Sequence, residues 1–357
     1  MNTSEIILST GPSVVELDWV PQRISRYMGQ LALLHGPETQ LILPSEVVRN
    51  DETTLFACSG VQIIYPQLFD GVEPPGYPQL ISQPVIRTQH LPNVREGTST
   101  SFVNYNLIMF GESQDYHERA TNDFFEKMIE VDQSGTEQNK RVRVEDWEQN
   151  WNGLPVMMNT NDKLWINGVE LGESIFYGDM LLPSGETVSV SELAFGLERL
   201  FYATEAPLGD ASYFRGMLGG IDTDPTHKDN EVARVCDALK SCTLMAMQGV
   251  VPSNKAHGYR MRKFLKQAVR ANVSAQIDTV QIVENAFNFW SAFMPPAHDL
   301  EKVQEIVRTE YERNANRHIL ERLEEEHGVR ISIDINQTTD NFLVQLKSTG
   351  RLPNNYI

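Results

Sequence analysis

The apolar residues of this 357-residue chain change their spacing near residue 205. Upstream, short runs rich in β-branched and aromatic residues are separated by turn-forming Gly, Pro, Asn and Asp. LILPSEVV, TTLFACSGVQIIY, PQLISQPVIRT and SFVNYNLIMFG (residues 101–111) each read as strand. Residues 118–130, ERATNDFFEKMIE, then take helical spacing. Residues 131–149 are polar and charged, which predicts a loop or irregular excursion. Downstream the pattern is helical. Residues 230–248 and 258–272 predict two helices, with PSNKAHG between them and Pro252 and Gly258 as punctuation. Residues 299–327 predict one long, charged, amphipathic helix. Strands first and helices second give an α+β fold, with a sheet-bearing domain over 1–205 and a helical domain over 206–357.

Composition narrows the function classes. The 41% hydrophobic content supports sizeable cores, and no apolar run approaches the roughly 20 residues of a membrane helix, so no membrane partner is expected. The start, MNTSEIILSTGP, lacks the basic and long apolar stretches of a secretory leader. Cys58, Cys236 and Cys242 are odd in number and lack metal-ligand spacing, which predicts reduced thiols in a cytoplasmic setting. A formal charge of -18 opposes indiscriminate nucleic-acid binding but not a local basic contact.

Two short stretches carry chemistry. In SELAFGLERL, residues 191–200, Gly196 permits close backbone approach and Arg199 offers a fixed cationic fork at a helix start. In SQPVIRTQH, residues 82–90, Arg87 ends a strand whose partner SFVNYNLIMFG returns after a polar loop. Each arginine alone reads equally well as a solvated helix or edge-strand charge. Together, a hairpin bearing one arginine and a later strand–helix corner bearing another can clamp a phosphate against a carboxylate.

That constellation resembles class II aminoacyl-tRNA synthetases, and finer blocks resemble the alanyl-tRNA synthetase family. NDETTLFACSGVQ is similar to the family's N-D-P-T-L-L-F-x-N-A-G-M, SQPVIRT to S-Q-x-C-V-R-A, and Met109-Phe110-Gly111 to M-L-G. DKLW, residues 162–165, is similar to D-N-F-W, and SELAFGLER to D-T-G-M-G-L-E-R. SCTLMAMQGVVPSNKAHGYRMRKFLKQAVR, residues 241–270, carries the longest run of ordered matches. The resemblance implies a class II antiparallel sheet flanked by helices, followed by a helical domain. It also implies activation of a small amino acid by ATP as an aminoacyl adenylate, with Mg2+.

Carried over residue by residue, Arg87 would hold the α-phosphate and the carboxylate, and Arg199 the γ-phosphate. Met109, Gly196 and Glu170 would complete the ATP site, with Glu170 as the magnesium ligand. Trp165, Glu173, Glu192 and Ala194 would form the amino-acid pocket. Two alignments of the strand bearing Glu170 and Glu173 stay open, and both glutamates read alternatively as exposed strand charges. Glu192 stands where the family has an ammonium-binding aspartate, and Ala194 where it has glycine. Both changes reshape the pocket, so alanine, glycine or a close analogue is the expected substrate. Asn106 and Leu107 replace the family's adenine-stacking phenylalanine, which moves that role to Phe102 or Tyr105.

The acceptor is less determined. Residues 255–270 hold six Lys or Arg and no acid. Asn254, Lys255, Arg260, Arg262, Lys263 and Lys266 are the candidate RNA contacts, against the alternative of a solvated basic helix face. Ala256 and His257 depart from the family's P-S-N-x-N-R-G-Y, and the resemblance ends at DNFLVQLKSTGRLP, before the family's editing portion. A small-molecule or carrier-protein acceptor is therefore preferred over tRNA, and a catalytically silent paralogue is the third reading.

Overall fold

The computed structural model describes residues 40–49, 54–64, 70–71, 73–94, 98–131, 139–144, 148–151, 154–205 and 229–350. The N-terminal stretch, residues 50–53 of the first family block and residues 351–353 lie outside that set. The chain divides into two compact units. The first takes in Met1–Arg87, Glu96–Gly219 and Ala292–Met294, and the second Thr88–Arg95, Gly220–Ser291 and Pro295–Ile357.

The first unit is built on β1 (Gln40–Ile42), β2 (Gln79–Ile86), β3 (Ser101–Phe110), β4 (Lys140–Val144), β5 (Glu148–Trp151), β6 (Leu154–Ile166), β7 (Val169–Leu181) and β8 (Thr187–Gly196). The sheet order is β1-β2-β3-β8-β7-β6-β4, with β5 paired to β6. Strands β2, β3, β8, β7, β6 and β4 each run antiparallel to their neighbours, and β1 adds a parallel edge. Helix α1 (Gln114–Val131) and helix α2 (Leu197–Glu205) flank it. This is the antiparallel sheet with flanking helices and a helical region after it that the sequence predicts.

Side chains alternate between the faces of this sheet. One face carries Tyr105, Met109, Ser174, Ser191 and Phe195 toward α1. Tyr105 stacks on Phe195 at 5.4 Å, Phe124 of α1 tilts against Phe195, and Tyr116 Oη meets Met109 Sδ at 3.0 Å. The other face carries Phe102, Asn104, Asn106 and Ile108 of β3 beside Glu192, Ala194 and Gly196 of β8. At one end of it a helical turn over residues 61–64 brings Val61 and Ile64 onto Ile81, Ile108, Ile175 and Val190.

Two readings of the first half are corrected. In TTLFACSGVQIIY the run Val61–Ile64 is helical, because Gln62 caps the turn through its side chain, accepting from Cys58 N at 2.7 Å and Ser59 N at 3.3 Å. Within 131–149, Lys140–Val144 is a strand. Its alternating cations meet partners remote in sequence: Arg141 and Arg143 both donate to Asp162, which is 1% exposed, and to Glu118 of α1. Burial alone would push the Asp162 carboxyl up; the hydrogen bonds from Arg143 and Arg141 outweigh it and hold the group below the usual carboxylate range.

The second unit contains α3 (Asp229–Met247), α4 (Ala256–Ala275), α5 (Thr279–Ser291), α6 (Leu300–His327) and α7 (Thr339–Ser348). Helix α3 is its centre, with Val235, Cys236, Leu239, Cys242 and Met245 fully buried. Lys240 is also fully buried, its Nζ lying 4.8 and 4.7 Å from the Phe289 and Trp290 ring centroids. Gly258 does not punctuate α4 but lies inside its first turn, where a Cβ would fall 2.5 Å from Val251 O. Helix α6 starts on an Asp299 cap, as 299–327 predicts. It is not a simple apolar stripe: the buried positions Val303, Ile306, Val307, Glu310 and Asn314 keep helical spacing, but the last two are polar. Glu310 is buried because Arg262 of α4 reaches it at 2.9 Å.

Candidate active site

The open face of the sheet gathers most of the predicted site residues. The loop after the β1 edge approaches β3 closely at Gly60, whose N–H donates to Asn104 Oδ1 and Asn106 Oδ1, both at 3.0 Å. A Cβ at Gly60 would fall 2.5 Å from Asn106 Oδ1, so that approach requires glycine. The same loop presents the Cys58 carbonyl, which accepts from Arg87 Nε at 2.9 Å. Arg87 sits at the end of β2 and its N–H pairs with Thr100 O at 2.8 Å. One side-chain and one backbone bond therefore fix its direction.

Arg199 enters from the strand–helix corner. Gly196 ends β8 and Leu197 begins α2. Glu198 anchors the corner by accepting from Val103 N at 2.8 Å, and Arg199 then projects over the sheet face. The guanidinium carbons of Arg87 and Arg199 lie 5.0 and 6.0 Å from the centroid of one ring, Phe102. A Cβ on Gly196 would lie 3.4 and 3.6 Å from that ring and the Arg199 side chain, ordinary contact distances, so packing here does not by itself demand glycine. Burial lowers the pKa of Arg199, and the neighbouring Arg87 cation adds to that; Glu170 and Glu173 act in the opposite direction. Two cations converging on one ring repel each other, and an anion placed between them removes that cost.

The acidic members lie beside them. Arg199 NH1 donates to Glu170 O at 3.1 Å and stands 4.0 Å from Glu170 Oε1. Glu170 and Glu173 both face Lys163 of β6, at 3.2 and 3.9 Å. Glu192, 3% exposed, accepts from Asn106 Nδ2 at 2.6 Å. Ala194 lies between Asn106 and Glu173 in register. Trp165 is opposite Glu170 on β6, with Lys140 Nζ 5.2 Å from its ring centroid.

Several expectations do not survive this geometry. Met109 points to the helix-covered face, against Tyr116, because it is one residue out of phase with Ile108. Tyr105 is out of phase in the same way, and burial pushes its phenol pKa up. Phe102 is on the open face but only 4% exposed, with a guanidinium over its ring. Its ring lies beneath both guanidinium groups. Asn104, Asn106 and Lys163 stand on this face beyond the residues that the sequence singles out. The signal for Lys163 was its place two residues before Trp165, which puts both on one strand face.

Comparison with known proteins finds similarity over much of the chain. No protein-family model matches the chain. The alanine–tRNA ligase of Aeropyrum pernix is 24% identical over 336 residues, covering 75% of this chain and 36% of that protein. The alanine–tRNA ligase of Sulfurisphaera tokodaii is 22% identical over 304 residues, covering 68% and 33%. The chain is alanyl-tRNA synthetase-like. It spans about a third of the length of the curated relatives it matches. Among solved structures, apo histidyl-tRNA synthetase of S. aureus overlaps with a TM-score of 0.39 at 12% identity, covering 56% of this chain and 70% of that one.

On this face the donor set fits a polyphosphate: two oriented, partly exposed arginines. It fits a divalent metal poorly. Glu170, the expected magnesium ligand, has Lys163 Nζ 3.2 and 3.3 Å from its two oxygens, with Arg199 beyond. Among the described residues no group of three His, Cys, Asp or Glu side chains could hold a metal.

The basic helix α4 lies in the other unit, and its candidates divide. Asn254 accepts from Arg262 Nη1, and Arg262 also pairs with Glu310, so both are engaged internally. Lys255 is the N-cap residue of α4, without a side-chain cap bond. Lys263 Nζ lies 4.9 Å from the Tyr259 ring centroid, and Arg260 is half-buried. Lys263 and Lys266 line a cleft of about 540 Å³ with Arg270, Leu91, Pro92 and Arg234, the last paired with Glu231 of the same lining at 2.7 Å.

Proposed function

We propose that this chain activates a small amino acid with ATP, forming an aminoacyl adenylate and releasing pyrophosphate. The observation that carries the reading is the convergence of Arg87 and Arg199 on Phe102, on the face that also holds Glu192. The amino-acid carboxylate attacks the α-phosphorus, and the bond to the β-phosphate oxygen breaks. The protein's work is positioning and charge neutralisation. Arg87, fixed by Cys58 O, holds the carboxylate and α-phosphate oxygens together. Arg199 takes the departing pyrophosphate. Glu192, held by Asn106, receives the substrate ammonium, and Ala194 and Trp165 bound a small side-chain pocket. Magnesium carried on the nucleotide would shield the phosphate oxygens.

The preferred acceptor is a small molecule or carrier protein. The engagement of Asn254 and Arg262 with each other and with Glu310 supports it, as does the charge of -18. Transfer RNA is the second reading, favoured by the cleft of Arg234, Lys263, Lys266 and Arg270. A cytoplasmic setting agrees with three cysteines, none of them in a disulfide. No helix among the described residues is long and apolar enough to cross a membrane.

Amino-acid-dependent ATP–pyrophosphate exchange across the twenty standard amino acids, with and without bulk tRNA, tests the reading. Exchange with alanine, glycine or one other small amino acid, without tRNA, is the expected result. No exchange with any of them, together with no ATP binding by titration, would make the chain a silent paralogue.

A further inference from the structure

The row of residues across the open face is Lys163, Glu173, Ala194 and Asn106, one from each of β6, β7, β8 and β3. A register shift between Leu164 and Trp165 then brings Glu170 opposite Trp165. Lys163 is thereby placed between two carboxylates. Its Nζ lies 3.2 and 3.3 Å from the two oxygens of Glu170 and 3.9 Å from Glu173 Oε1. Arg199 closes the far side of Glu170. The side chains are 35% exposed for Lys163, 27% for Glu170 and 31% for Glu173, so the group is held in place yet reachable by a ligand.

A pair of carboxylates on an open face beside two arginines is where a hard divalent cation would be expected to bridge protein and phosphate. A metal using the same oxygens would have to sit within a few ångströms of both an ammonium and a guanidinium, which opposes it. The carboxylates are already supplied with a cation by the chain itself. An ammonium on a four-carbon stem has three donors, and two carboxylates restrict its swing without covering every donor.

We propose that Lys163 is the resident cation of the Glu170–Glu173 pair, standing in for a protein-bound divalent metal, and that it is a third cationic contact for the phosphates beside Arg87 and Arg199. This rests on the adenylate-forming reading for the phosphate contact alone; the exclusion of metal from the carboxylate pair is independent of it. No bond to Lys163 forms or breaks: it lends charge and hydrogen bonds to oxygens that gain negative charge as pyrophosphate leaves.

The test has two arms on the full chain. In the first, Mn2+ is titrated by calorimetry, without nucleotide or amino acid, into the wild type, Glu170→Gln, Lys163→Ala, Lys163→Gln and Lys163→Ala/Glu170→Gln/Glu173→Gln, with circular dichroism as the check on folding. The wild type is expected to show no Mn2+ site tighter than about millimolar, a range typical of weak oxygen-ligand sites. Both Lys163 single variants should gain one, and the triple variant should lose it. A wild-type Mn2+ site that Glu170→Gln abolishes would overturn the proposal, as would Lys163 single variants that gain no site. In the second arm, pyrophosphate exchange should fall about 100-fold in Lys163→Ala, the scale of removing one preorganised donor, and recover in part in Lys163→Arg. Unchanged exchange in Lys163→Ala would overturn the phosphate contact. An inactive wild type would instead count against adenylate formation and leave the Mn2+ result standing.

Discussion

The two faces of the sheet in the first unit use polar residues in opposite ways. On the face toward α1, polar groups close on one another. His117 Nδ1 meets Ser191 Oγ at 2.8 Å and its Nε2 meets Ser174 Oγ at 3.0 Å, while Thr121 bridges Ser174 and the His117 carbonyl. Asp162 is enclosed by two arginines. On the open face, Arg87 and Arg199 crowd one ring and carboxylates stand half-exposed. Neighbouring residues of one strand serve both: Ser174 follows Glu173, and Ser191 precedes Glu192. A strand pinned by closed hydrogen bonds on its back can hold partly exposed ion pairs on its front, where charge serves a ligand better than it serves stability.

The sharpest way to break this contrast is to remove a cation from the open face. Arg199→Ala is expected to lower pyrophosphate exchange by about 100- to 1000-fold, the scale for loss of one preorganised electrostatic donor. Stability should change by no more than about 1 kcal/mol, because the lost bond to Glu170 O is offset by relief of repulsion from Arg87. Exchange rates and thermal unfolding on the same preparation decide it. A large fall in stability would show that Arg199 belongs to the structural class of the other face.

On the closed face the expectation is reversed. Asp162→Asn removes the charge that two arginines enclose, and should cost roughly 3 kcal/mol, the low end for breaking a buried pair, since both arginines keep some water and Glu118. Urea unfolding would measure it. A loss under about 1 kcal/mol would mean the arginines find sufficient solvation at the edge strand β4.

The contrast itself was only half legible in the sequence. The hairpin over 79–110 and the corner at Gly196 could be read because both follow local rules: runs rich in apolar and β-branched residues in PQLISQPVIRT and SFVNYNLIMFG, and glycine before a helix start. Helices α3 and α4 could be read from periodicity within one segment. Strand β4 could not, because KRVRV alternates charge with valine, and its cations make sense only beside Asp162 and Glu118, about twenty residues away. The roles of Glu170 and Lys163 depend on a register shift in the β6–β7 pairing, which no local pattern encodes. Met109 and Tyr105 lie on the α1 face because strand alternation sets them one residue out of phase with Ile108 and Asn106. Glu310 and Asn314 in α6 sit at apolar-stripe positions because partners on α4 and on their own helix satisfy them.

The His117 network gives a graded test. Burial lowers the imidazole pKa from 6.5 to about 4, so the folded chain keeps it neutral while the unfolded chain protonates it. Stability therefore falls as pH drops from 6.5 toward 4, by about 1.4 kcal/mol per pH unit, and levels off below. His117→Gln removes the titration. Unfolding free energies at pH 7 and pH 5 should differ less in the variant than in the wild type, by about 2 kcal/mol at most. Equal differences would mean that the network opens to water and that the back of the sheet is not closed.

The smallest effect probes the front again. Ala194 stands between Asn106 and Glu173 in register, and under the proposed reading its methyl would be the part of the pocket floor that the glycine of the family block lacks. Ala194→Gly should leave the two arginines in place and enlarge the pocket by one methyl. The ratio of kcat/KM for 2-aminobutyrate over alanine in pyrophosphate exchange should rise about 5- to 10-fold, roughly 1 kcal/mol, the low end for one methylene in an apolar pocket. The strand loses a side chain on its open face, so unfolding should shift by less than about 1 kcal/mol. An unchanged ratio with reduced stability would assign Ala194 to packing. The substrate side chain would then lie toward Trp165 and Lys163, where polar amino acids in place of alanine would be the ones to assay.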